Sequence, residues 1–68
     1  MTNYVININS QTNGEHEVHK ITCNKLPNPA NRLYLGDFPT CYDAIREAKK
    51  YDPDADGCYY CSPECHTR

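Results

Sequence analysis

Cysteine and histidine recur in short-spaced sets along this chain. Cys58 and Cys61 form a CxxC pair in GCYYCSP, His19 and Cys23 form an HxxxC pair in HKITC, and Cys65-His66 follows near the end. Two thiolates separated by two residues can turn onto one ion, and a structural zinc site takes four such N/S donors from two pairs. The preferred set is therefore His19, Cys23, Cys58 and Cys61, with Cys65 or His66 as the substitutes, because a site of this kind closes at four. On a straight strand the α-carbons of His19 and Cys23 would lie about 13 Å apart. The pairing thus demands a tight turn across Lys20, Ile21 and Thr22, and an extended strand through Cys23 would exclude it.

Two other chemistries compete for the same stretch. Asp52, Asp54, Asp56 and Gly57 match the opening of a calcium loop, but its twelfth position, which needs a bidentate Glu, is Pro63. DPDADG then reads as a polar turn leading into the knuckle. A redox dithiol would want Cys58 at a helix N-terminus, where its pKa falls, yet CYYC follows a turn and precedes Pro63. Two candidate ligands read as ordinary residues. Cys41 lies on the apolar side of a helix, where a free thiol packs as a small hydrophobe. His16, between Glu15 and Glu17, reads as a solvated loop residue.

The elements that must position these side chains are few. The chain has 68 residues, room for one domain (1–68) with a loose tail over 64–68. A core this small usually needs a staple. Tyr4 to Asn9 alternates as a strand, Asn13-Gly14 suits a hairpin turn, and EVHKIT returns as the second strand. RLYLGDF is a short third strand ended by Gly36 and Asp37. Thr40 to Tyr51 reads as a helix, capped by Thr40 with Asp43 three residues on. Cys41, Ala44, Ile45, Ala48 and Tyr51 form its apolar face. The expected architecture is α+β: a β-hairpin, a third antiparallel strand, and one helix packed against them, braced by one zinc.

Composition bounds the partners. The formal net charge is −2 with Lys and Arg scattered singly, so there is no basic stripe for phosphates. No apolar run reaches the length of a membrane span, and MTNYVININ carries no secretory signal. Five cysteines, an odd number, suit a closed disulfide framework poorly. A reduced cytoplasmic monomer whose cysteines bind metal is the expectation. Six of the seven aromatic rings are Tyr, and Tyr59, Tyr60 and Tyr42 are candidates for docking a protein partner.

The sequence YVININS, VHKITC, ANRLYLGDFPTCYDAIREAKK and GCYYCSP, in that order, resembles the Ada-like metal-binding domains, from about residue 4 to 63. The points of resemblance are Asn7 and Ser10, His19 and Cys23, Asn31-Arg32, Ala44, and Cys58 and Cys61 followed by Pro63. The resemblance implies a small mixed fold closed by one zinc on His19, Cys23, Cys58 and Cys61. In the Ada domain the first ligand of the x3 pair is a methyl-accepting Cys. That position is His19 here, so methyl acceptance does not carry over. Tyr59, Tyr60 and Ser62 replace the basic residues of many relatives, which weakens the implied DNA contact. The expected function is a binding or adaptor module without catalysis, whose metal-free form is largely unfolded. The alternatives are a nucleic-acid-associated module of the Ada-like type and a reactive zinc-thiolate sensor.

Overall fold

Alternating side chains in the first strand commit it to two faces, and both are covered. In the computed structural model, which describes residues 1–10 and 14–67, β1 (Thr2–Asn7) pairs antiparallel with β2 (His16–Lys20) and with β3 (Arg32–Phe38). Helix α1 (Cys41–Ala48) follows, then β4 (Ala55–Gly57), which lies parallel to β2. The order β3-β1-β2-β4 makes a four-stranded mixed sheet. Since β3 and β4 sit at opposite edges, α1 must cross one face of the sheet to join them. The fold is α+β, as expected.

Ladder register decides what each face carries. Ile6 stands opposite Val18 and Tyr4 opposite Lys20. Tyr4, Ile6 and Val18 meet Ala44 and Ala48 of α1, together with Cys41, Ala55 and Cys65, in the apolar core. Small residues on the buried side of α1 allow its close approach to the strands. Val5 pairs with His19 and both point the opposite way, away from α1. That second face carries the Cys/His cluster.

Several local expectations need correction. β1 ends at Asn7, so Ile8 does not continue the apolar face and is half exposed. Gly36 does not end β3. At φ +113° it sits in a register shift, where Tyr4 faces Gly36 and Val5 faces Tyr34, and the strand runs on to Phe38. Thr40 caps α1 by accepting from the Asp43 N–H at 3.3 Å, but regular helix stops at Ala48 and Tyr51 is exposed. DPDADG is only half a turn. Asp52 accepts from the Asp54 N–H at 2.9 Å, and the chain then joins the sheet as β4. Its short, polar composition hides a strand from any periodicity argument. Of the hairpin turn, Gly14 has φ +86°, while Asn13 lies outside the described residues.

The end of the chain is tied down rather than loose through Thr67. Pro63–Cys65 forms a 3-10 turn. Cys65 is disulfide-bonded to Cys41, so Cys41 is not a free thiol and a disulfide does exist in this chain. His66 donates from Nδ1 to the Gly57 carbonyl at 3.0 Å, and Thr67 donates its N–H and hydroxyl to Asp56. No helix among the described residues is long and apolar enough to cross a membrane.

Candidate metal centre

β2 delivers His19 inward and then ends. The backbone N–H of Cys23 donates to the Lys20 carbonyl at 2.9 Å, closing a turn over Lys20–Cys23. This is the tight turn that the HxxxC spacing requires, and it folds Cys23 back beside His19. On the other side, the Cys58 N–H donates to the Val18 carbonyl at 2.9 Å as β4 leaves the sheet, and the Ser62 N–H donates to the Cys58 carbonyl at 2.8 Å. The second bond closes the knuckle that holds Cys58 and Cys61. Pairing of β2 with β4 thus brings together two ligand pairs separated by more than thirty residues.

The donor atoms of His19, Cys23, Cys58 and Cys61 all lie within 4.8 Å of one another, and this group could hold a metal ion. Cys23 Sγ and Cys58 Sγ are 3.9 Å apart. Two thiolates bound tetrahedrally at the usual zinc–sulfur distance would be about 3.8 Å apart. Among the described residues, Cys23, Cys58 and Cys61 are the free cysteines.

Local hydrogen bonds prepare the sulfurs for negative charge. The Lys25 N–H points at Cys23 Sγ at 3.4 Å, and the Lys20 N–H at Cys61 Sγ at 3.3 Å. Backbone N–H groups of Cys61 and Tyr60 address Cys58. Such donors favour the thiolate, but burial outweighs them and pushes the Cys58 and Cys61 thiols up when no cation is present. A cation at the centre of the group would reverse that balance.

His19 supplies the most direct test of fit. Its side chain is 1% exposed, and neither ring nitrogen has a hydrogen-bond partner. Burial, then the nearby Arg32 charge, lowers its pKa, so the ring is held neutral, the form that ligates metal. A buried polar group without a partner costs roughly 1–3 kcal/mol, and ligation would remove that cost at the one ring nitrogen that binds. Glu17 Oε1 lies 3.7 Å from His19 Nε2, beyond hydrogen-bond range.

The other candidates fall elsewhere. Cys65 is taken by its bridge to Cys41, and His66 by Gly57 and Asp56, whose Oδ2 is 3.3 Å from Nδ1. Neither substitutes for a member of the cluster. His16 is not a solvated loop residue. It opens β2 with Nδ1 2.9 Å from the Asn7 carbonyl and Nε2 2.9 Å from Asp52 Oδ2. Comparison with family models, with curated proteins and with solved structures finds no match.

Sequence reasoning missed the Cys41–Cys65 bridge, although the count contained it. Once His19 completes a four-donor site, only three of five cysteines are used. The remaining two can pair. The Glu17 carboxylate near His19 was also missed, although it lies two residues earlier on the same face of β2.

Proposed function

We propose that this protein is a binding module whose fold is braced by one zinc ion on His19, Cys23, Cys58 and Cys61. The observation that carries this reading is the convergence of all four donors within 4.8 Å. A donor set of three thiolates and one imidazole suits zinc, which favours closed tetrahedral N/S sites. Four protein ligands leave no coordination position for water or substrate, which is the pattern of a structural ion. The module is accordingly proposed to be non-catalytic. Its Ada-like character rests on the order and spacing of the sequence motifs.

Docking is proposed to use the aromatic surface beside the knuckle. Tyr59 and Tyr60 are 61% and 66% exposed, and their rings meet edge to face at 5.5 Å. Lys25 Nζ stands 5.0 Å over the Tyr60 ring. Rigid, half-wet Tyr side chains are favoured at the centres of protein interfaces, and the net charge of −2 favours a protein over a nucleic acid. The buried disulfide favours maturation where thiols are oxidised rather than in a reducing cytoplasm. There, zinc would also keep the three cluster thiols from joining the wrong partner.

Chelation tests the reading. With EDTA at neutral pH, zinc should leave, and circular dichroism and the melting temperature should fall together. Structural zinc contributes ~10–16 kcal/mol in small finger peptides, comparable to the whole stability of a small domain. An unchanged melt after the metal has been shown to leave would defeat the proposal.

A further inference from the structure

The four donors are not equally protected. His19, Cys23 and Cys58 are buried, while Cys61 alone among them is only partly buried. Cys58 is fully buried, and Cys23 is 8% exposed. Cys41 and Cys65 are already joined and lie in the core on the other face of the sheet. A reagent in solvent therefore meets the least buried of the four residues first, and its sulfur has the Cys58 thiol within 4.8 Å, three residues away in the chain. The Lys20 N–H also supports negative charge on Cys61 Sγ.

We propose that Cys61 is an oxidation site that controls retention of the metal, with hydroperoxides as the class of co-reactant; this rests on the metal reading above. Cys61 Sγ, as a thiolate, attacks the terminal oxygen of the hydroperoxide. The S–O bond forms, the O–O bond breaks, and the departing alkoxide or hydroxide takes a proton from water. Cys61 is oxidised to the sulfenic acid and the hydroperoxide is reduced to an alcohol or water. Cys58 Sγ, as thiolate, then attacks the Cys61 sulfur, forming an S–S bond, and hydroxide leaves and is protonated. The sum is two thiolates, one hydroperoxide and two protons giving one disulfide, one alcohol and one water. The ion keeps only His19 and Cys23 of its four ligands and departs as the hydrated dication. Because β4 feeds directly into Cys58, loss of the knuckle loosens the β2–β4 edge and the Tyr59-Tyr60 surface beside it.

The experiment uses the full chain loaded with zinc, its stoichiometry first read by native mass spectrometry. Substoichiometric iodoacetamide should then label Cys61 about 10-fold or more ahead of Cys23 and Cys58. Hydrogen peroxide, with a chromogenic zinc chelator present, should release one zinc for every two thiols lost. Peptide mapping should find Cys58 joined to Cys61 and the Cys41–Cys65 bridge intact. Even labelling of the three thiols, first labelling at Cys23 or Cys58, or zinc retained after peroxide would overturn the proposal while leaving the metal reading standing. A chain that takes up no zinc would overturn both.

Discussion

Gly57→Ala places a methyl group where the structure has no room. A Cβ at Gly57 would lie 2.8 Å from Cys65 Cβ, 2.9 Å from its carbonyl carbon and 3.0 Å from its oxygen. Ordinary carbon–carbon contact is at least about 3.5 Å, so the nearest approach is roughly 0.7 Å too close. Neither side can yield easily. Gly57 is held in the ladder opposite Val18. Cys65 is held by its bridge to Cys41 and by its N–H on the Ser62 carbonyl at 3.0 Å. Overpacking costs about 1–3 kcal/mol, and a clash against pinned backbone belongs in the upper half, about 2–3 kcal/mol. At roughly 4–8 °C per kcal/mol for a domain of this size, the melting temperature should fall by roughly 8–24 °C. Differential scanning calorimetry of the metal-loaded protein provides the measurement. Gly14→Asn is the control: nothing lies within 4 Å of its Cβ position, and Asn tolerates positive φ better than most residues. A G57A melt that coincides with those of G14N and the parent would refute the reasoning.

Other perturbations separate the two braces. Replacing both Cys41 and Cys65 by Ala opens a bridge spanning 24 residues in sequence and should cost about 2–4 kcal/mol in urea unfolding, with zinc stoichiometry unchanged. Thr40→Ala removes the cap on Asp43 N–H and should cost about 1 kcal/mol, visible as an earlier urea midpoint with an unchanged slope. The Cys41–Cys65 bridge, which the sequence expectation of an unfolded metal-free form left out, retains part of the fold without zinc, and acid and alkali should act differently on that metal-free state. His19 has a lowered pKa, so below about pH 6.5 the unfolded chain binds a proton that the fold does not, and stability drops as pH falls. Cys58 and Cys61 are raised, so above about pH 8.5 the unfolded chain loses protons first and stability drops as pH rises. Zinc should abolish the alkaline loss, since it binds thiolates, and retain the acid loss. Urea midpoints across pH, with and without metal, check both arms.

Local chemistry explains which parts of this structure could be read from sequence. The cap at Thr40 and the HxxxC turn were legible because each depends on neighbours within four residues. The grouping of His19, Cys23, Cys58 and Cys61 was legible for a different reason, since metal-ligand spacing leaves few ways to make four. β4 was not legible: three residues, Ala-Asp-Gly, carry no strand propensity, and only parallel pairing with β2 makes them a strand. The same pairing sets Gly57 against Cys65 and so decides the fate of the tail. The bridge from Cys41 was hidden behind a helical apolar face, where a thiol and half a disulfide look alike in sequence.

X-ray absorption at the zinc edge tests the central claim most directly, using protein refolded with one equivalent of zinc. The account predicts three sulfur scatterers at about 2.3 Å and one nitrogen at about 2.0 Å, with the nitrogen contribution lost in His19→Ala. A first shell of oxygen and nitrogen alone, or one that His19→Ala leaves unchanged, would contradict it.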